Sequence, residues 1–211
     1  MPSVEIIGLP QSTYLRAVRI ACEEKGVPYE LRPARPHSPE ILAVHPLGKM
    51  PGFRHGDFEL CESSAIARYL DTTFAGPRLF PADARTGAVA EKWVSMVNTH
   101  MDRTLVRQYL FAYIFPQTPD KSPDRRAIDA VAGQMRAQLA LLDGAVAETG
   151  YLAGDSYSFA DMNLMPILAY LKRPPESAEA IAALPHLSAY ADRNAARPSF
   201  MATEPPPMPQ G

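Results

Sequence analysis

The sequence is poor in the features that settle a protein's class quickly. Cysteine is scarce: Cys22 and Cys61 are the two cysteines of 211 residues. Neither belongs to a CxxC pair or to a Cys/His cluster with zinc spacing, which argues against a disulfide framework and a structural metal. No apolar run approaches the roughly 20 residues that span a bilayer. The start, Met1-Pro2-Ser3-Val4-Glu5, lacks the basic and apolar regions of a secretory signal. A cytoplasmic protein with reduced thiols is expected. Excess charge is lacking too, with 21 basic against 23 acidic residues. That balance leaves no electrostatic footprint for nucleic acid, so a small molecule or another protein is the expected partner.

Proline, by contrast, is plentiful at 22 residues, concentrated at 33–51, 116–123, 166–185 and the tail, where connections and helix starts belong. Around these the chain changes grammar. Ser3-Val4-Glu5-Ile6-Ile7 alternates and is β-branched, so it predicts a strand ending at Gly8-Leu9-Pro10. From Thr13 to Lys25 apolar residues recur at helical spacing, with Ser12 or Thr13 as cap and Gly26 as the C-terminal glycine. Val27–Leu31 reads as a second strand. After a proline-rich connector, Gly52–Cys61 reads as two strands joined at His55-Gly56-Asp57. A helix then follows, capped by Ser63.

Past the aperiodic stretch 74–81, residues 83–115 and 122–148 are long, alanine-rich and amphipathic, separated by a proline-rich break at 116–123. Shorter helices are expected at about 159–172, 175–183 and 185–196. The predicted organisation is an α/β domain over 1–76 with element order β-α-β-β-β-α and a short connector, then a linker at 77–84. An all-α helical bundle over 85–200 and a loose tail over 201–211 complete it.

Three short segments carry chemistry. Ser12 lies between a strand end and the first turn of a helix, where unpaired N–H groups and the positive dipole end favour an anion. A hydroxyl there either caps the helix or donates to a thiolate and lowers its pKa. Thr13 and Tyr14 are rivals for that contact, and Thr13 is the more natural cap. Met50-Pro51 stands just before a strand. A cis bond there would turn the Met50 backbone outward to pair with an extended peptide, whereas a trans bond makes an ordinary turn. Glu62-Ser63 opens the next helix. Backbone N–H groups and the Ser63 hydroxyl suit a carboxylate and Glu62 suits an ammonium, unless the pair is a plain cap.

In this order, on this frame, the chain resembles a cytosolic glutathione transferase of the serine type, especially the phi class and related bacterial proteins. The resemblance runs from Val4 to about Phe200. It rests on Gly8-Leu9-Pro10-Gln11-Ser12, on Glu23–Glu30, and on His45-Pro46-Leu47-Gly48-Lys49-Met50-Pro51 against the family's NPxGxVP. It implies a thioredoxin-like first domain, glutathione as co-substrate, Ser12 as the thiolate contact and a cis Pro51 with the Met50 backbone on the cysteinyl part. Glu62 and Ser63 would hold the γ-glutamyl end, with His37 near the glycine carboxylate and Gln11 and Lys49 beside the tripeptide. The electrophile pocket would gather Pro10, Tyr14, His100, Arg107 and Tyr113. Departures occur at His45 for the usual asparagine, at Lys49 for the usual glutamine, and at Leu47, where several classes carry the aromatic key of a homodimer.

In the second half, Gly154-Asp155 followed by Ser158-Phe159-Ala160-Asp161 resembles the family's GxxxSxAD. It predicts an Asp variant of the capping box, with Tyr157 and Met162 as a hydrophobic staple. Serine rather than cysteine at position 12 favours conjugation to an electrophile, or peroxide reduction, over disulfide exchange. The zeta-type isomerase signature SSCxWRxR is absent. A non-catalytic interaction or regulatory module on the same frame is the alternative.

Overall fold

In the computed structural model, which describes residues 3–207, the β-branched run near the N-terminus forms β1 (Val4–Ile7) and the helical stripe behind it forms α1 (Thr13–Lys25). Gly26 closes α1 in the left-handed conformation, its N–H returning to Cys22 and Glu23. Then follow β2 (Tyr29–Arg32), α2 (Pro39–Val44), β3 (Gly52–His55), β4 (Phe58–Cys61) and α3 (Ser63–Thr73). The sheet has the order β2-β1-β3-β4, with β1 and β2 parallel and the other pairs antiparallel. Ile6, Phe53, Leu15, Ile20, Ile66 and Leu70 are fully buried in this unit.

Three expectations need correction here. The connector before β3 contains α2, started by Ser38 as cap and Pro39 at its first turn, where a missing N–H costs nothing. The cap of α3 is Glu62, not Ser63, and it makes no side-chain capping bond. Thr13 likewise is not a cap; it is the first residue of α1, and buried.

The chain divides into Met1–Ala82 with Ala196–Gly211, and Asp83–Ala195. In the first unit Lys25 and Asp71 form an ion pair at 3.0 Å, each side chain 2% exposed. Lys25 Nζ also donates to the carbonyls of Asp71 and Pro77, and Asp71 Oδ1 accepts from Leu79 N. A buried pair with its remaining bonding capacity met in this way is a tether between α1, α3 and the chain that leaves α3. Leu79 and Phe80, inside the expected linker, are accordingly buried.

The second unit is helical: α4 (Ala84–Met96), a π-type segment (Val97–Leu110), α5 (Phe111–Ile114), α6 (Arg125–Ala147), α7 (Phe159–Leu171), α8 (Pro175–Ala182) and α9 (Pro185–Ala195). The expected single helix over 83–115 therefore changes winding at Val97. The wider spacing of i→i+5 bonding brings Asp102 and Arg107 together, Nε to Oδ2 at 3.0 Å, although they stand five residues apart. α7 is apolar on nearly all sides, as a central helix must be. Its capping box is present, and the Asp161 carboxylate accepts from Ser158 N at 2.9 Å.

After α9 the chain belongs to the first unit again, through α10 (Pro198–Ala202). The tail expected to be loose from residue 201 is held further than that: Thr203 is fully buried and Pro206 accepts a hydrogen bond. Of that expected tail, residues 208–211 lie outside the described residues.

Candidate active site

Strand register decides which turns meet. Ile7 pairs with Gly52, and Gly52 pairs with Cys61. The end of β1, the start of β3 and the end of β4 thus lie side by side at one end of the sheet. The Gly8 N–H bonds to Arg32 O at 2.9 Å, so the end of β2 reaches the same place. Ser12, Met50-Pro51 and Glu62-Ser63, far apart in sequence, are the residues that follow or precede those ends.

The contact between the first two turns is tight. Leu9 N approaches Met50 Sδ at 3.0 Å. Gly8 has φ +143°, a conformation that L side chains rarely adopt, and a Cβ there would also fall 2.7 Å from Leu15 Cδ1 and 2.9 Å from Met50 Sδ, so the turn favours glycine. Ser12 N donates to Leu9 O at 3.0 Å and closes a short turn. Ser12 itself is the cap of α1, its Oγ accepting from Leu15 N at a long 3.4 Å. Capping uses a lone pair of that oxygen and leaves its proton for an anion. The two readings of Ser12, cap and anion partner, are compatible in one rotamer.

The Met50-Pro51 bond is cis. Before it, His45, Gly48 and His37 form a knot: Gly48 N donates to His45 O at 2.8 Å and His37 N to Gly48 O at 2.9 Å. Gly48 has φ +64°, and a Cβ there would stand 2.2 Å from His37 Nδ1. Lys49, on the same turn, is exposed. The Gly48→Ala chain is expected to lose about 1–3 kcal/mol from the left-handed backbone alone, and to push the His37 ring aside. A melting curve checks the loss.

Glu62 has φ +70° and ψ 115°, a conformation an L-residue with a long side chain seldom keeps without compensation. Its side chain is 67% exposed and points its carboxylate to within 3.6 Å of His45 Nε2, whose own side chain is 3% exposed. His45 Nδ1 accepts from Leu47 N at 3.2 Å, which leaves the neutral ring's proton on Nε2, toward Glu62. The histidine that replaces the motif's asparagine thus joins the Leu47 turn to Glu62. Ser63 is buried at the first position of α3. Neither protein thiol competes as a thiolate: burial, then the Glu62 charge, pushes Cys61 up, and burial with Glu23 pushes Cys22 far up.

The remaining expected residues are dispersed over both units. Pro10 and Tyr14 flank Ser12 in the first, both half-buried. His100 and Arg107 are exposed on the π-type segment, Arg107 being held by Asp102. Tyr113 is engaged elsewhere than its assignment to a pocket suggests. Its hydroxyl bonds Glu176 and accepts from Arg125 Nη1 at 3.0 Å. Burial pushes Glu176 up, but bonds from Tyr113, its own backbone, Arg125 and Tyr109 outweigh this and hold it at about 2. A tyrosine committed to an ionised carboxylate is anchored before any ligand arrives. Gln11, expected beside glutathione, gives its Nε2 to Pro206 O at 3.1 Å. The cavity of about 570 Å³ lined by Val4, Val27, Tyr29 and Phe74 does not include any of the expected site residues.

Two family models match, the N-terminal domain of glutathione S-transferase over residues 6–78 and its C-terminal domain over 90–198. The chain belongs to the glutathione S-transferase family. It is 32% identical to glutathione S-transferase 3 of Zea mays, over 96% of this chain and 94% of that one. Glutathione S-transferase GstB of Escherichia coli K12 is 31% identical over 78% of this chain and 81% of its own length. Among solved structures, glutathione S-transferase I bound with lactoylglutathione matches with a TM-score of 0.85 at 26% identity, covering 96% of this chain and 98% of that one. The expected phi-like and bacterial relationship and the thioredoxin-like plus all-helical architecture therefore hold, and the chain is a glutathione transferase. Among the described residues no helix is long and apolar enough to cross a membrane.

Proposed function

We propose that this glutathione transferase binds glutathione across the three turns at one end of its sheet and attacks small hydrophobic electrophiles with the thiolate formed at Ser12. The reading is supported by one observation above the rest: strand register sets the end of β1, the start of β3 and the end of β4 side by side, and the turns at those ends carry Ser12, Met50-Pro51 and Glu62-Ser63. The α1 N-terminus and the Ser12 hydroxyl both favour a thiolate over a thiol. The Met50 backbone would pair with the cysteinyl residue as an added strand does. Glu62, already turned out of the ordinary backbone range, offers its carboxylate to the γ-glutamyl ammonium, while Ser63 and the α3 N-terminus suit the α-carboxylate. His37 and Lys49 would serve the glycine carboxylate. Pro10 and Tyr14, which flank Ser12, are the proposed contacts for the electrophile on the first unit.

The same reading makes the protein a cytoplasmic detoxifying enzyme that acts as a homodimer. Leu47, 62% exposed on the turn after His45, takes the place of the aromatic key. Glutathione titration and conjugation to an aryl halide test the proposal. The wild type should bind and turn over, and Glu62→Ala should raise KM for glutathione about tenfold or more through loss of a charge-assisted bond, with a smaller change in kcat. A wild type that fails to bind glutathione would favour the interaction-module reading.

A further inference from the structure

The segment from Arg197 to Pro206 runs along α1 and reaches the turn that carries Ser12. Arg197 makes a two-pronged pair with Glu24, Nε to Oε1 at 2.9 Å and Nη2 to Oε2 at 2.8 Å, and Ser199 Oγ also donates to Glu24. Phe200 O accepts from Arg16 Nη2 at 3.0 Å, and the Arg16 guanidinium lies 3.8 Å over the Phe200 ring. Thr203 O accepts from Arg19 Nη1 at 3.1 Å, and the Thr203 hydroxyl turns back to Ser199 O and Phe200 O. Last, Pro206 O accepts from Gln11 Nε2. These contacts lead from near the C-terminal end of α1 to the residue just before its cap. Pro205-Pro206-Pro207 suits that end of the path. Proline fixes φ and has no N–H, so the run stays extended with its carbonyls open to donors from elsewhere.

We infer that Thr203–Pro207 is a strap whose hold on Gln11 sets the position of Ser12, which makes Gln11 a positioning residue for the thiolate contact rather than a ligand of glutathione. The inference rests on the proposed role of Ser12. Gln11 lies inside the turn closed by Ser12 N and Leu9 O, so a restraint on its side chain is passed to the neighbouring cap. The first turn of a helix is where fraying is easiest, because its N–H groups lack internal partners. A restraint there narrows the positions open to the Ser12 hydroxyl and keeps its proton directed at one point. The bond to Pro206 takes one of the two amide protons and fixes the plane of the amide before any ligand arrives.

The test uses the full chain with Gln11→Ala, with Pro205→Gly/Pro206→Gly/Pro207→Gly, and with both changes together. Pro206 and Pro207 are exposed and Gln11 and Pro205 half-buried, and melting curves accompany the variants to verify folding. Each variant should lower kcat near neutral pH about three- to tenfold, the worth of one well-placed hydrogen bond. Each should raise the pKa that governs the rate, leave KM for glutathione within about twofold, and speed amide exchange at Ser12 and Thr13. The combination should be no worse than Gln11→Ala alone, since the glycines keep the Pro206 carbonyl and only loosen the tether that Gln11→Ala removes. A rise in KM in Gln11→Ala that the tail variant does not share would overturn the inference and return Gln11 to the ligands. Unchanged rates in either variant, or additive losses, would overturn it as well. If Ser12→Ala proves as active as the wild type, the role of Ser12 fails separately. Amide exchange over residues 9–16 then decides the strap alone, and unchanged exchange in the variants rejects it.

Discussion

Replacing Ser12 by alanine is expected to slow conjugation about ten- to a hundredfold near neutral pH, with the deficit shrinking as the pH rises. A hydroxyl that donates to sulfur stabilises the charged form and lowers the thiol pKa. Its removal raises that pKa toward the ~8.5 of a free thiol. At a pH below the wild-type value, a tenfold weaker acid carries about tenfold less thiolate, whereas above both values the two enzymes carry equal thiolate and their rates converge. Glutathione affinity should change little, because Glu62, Ser63 and the Met50 backbone are untouched. The cap role complicates the variant, since Ser12 Oγ also accepts from Leu15 N, and alanine at a cap costs about 0.5–2 kcal/mol where glycine costs a few tenths. Ser12→Gly separates the two. Equal rate losses in the alanine and glycine chains, with a lower melting temperature only for alanine, would assign the rate to the hydroxyl's proton. A pH–rate profile identical to the wild type in both would move the contact to Thr13, Tyr14 or a backbone N–H.

Much of that site was legible in the sequence because its parts carry local signatures. Ser12, the apolar stripe to Lys25 and Gly26 give α1 its observed bounds, since cap, period and C-terminal glycine agree. β3 and β4 follow from alternation around Gly56-Asp57. α2 was hidden because prolines read as breakers, yet at a helix's first turn they are starters, as at Pro39, Pro175 and Pro198. The facing of His100 and Arg107 was not legible because a search at 3.6 residues per turn uses the wrong period for a segment that bonds i→i+5. Burial along that segment returns at Val97, Met101, Leu105 and Tyr109, a steady step of four. The strap left no trace in the sequence for a different reason. Its acceptors at Phe200, Thr203 and Pro206 are backbone carbonyls, which every residue possesses, and a run of prolines resembles a loose end when its partners are not in view.

The Asp161→Ala chain should be the most destabilised of the variants considered, by about 3–5 kcal/mol, because it strands several buried donors at once. Asp161 is fully buried, and its Oδ1 accepts from Leu152 N at 3.0 Å and Tyr190 Oη at 2.9 Å. Its Oδ2 accepts from Ser158 N at 2.9 Å and Ser158 Oγ at 3.1 Å. One carboxylate thus completes the capping box of α7, fixes the segment before it and engages α9. Burial raises its pKa, and the four donated bonds act in the opposite direction. Asparagine is the informative comparison. It keeps an acceptor for Leu152 and Tyr190, and the Ser158 hydroxyl can reverse to accept from the new amide, so only the Ser158 N–H is left without a partner. Asp161→Asn should therefore lose roughly half as much as alanine. In a protein of this size each kcal/mol lowers the melting temperature by about 2–4 °C, so calorimetry resolves the order wild type, Asn, Ala. Amide exchange at Leu152 and Ser158 should rise first. If alanine and asparagine are equally and only slightly destabilised, the carboxylate is not the centre of this network. The residues proposed for glutathione lie between Ser12 and Ser63, so folded Asp161→Asn should keep the wild-type pH–rate profile, which separates a fold-bearing aspartate from a catalytic one.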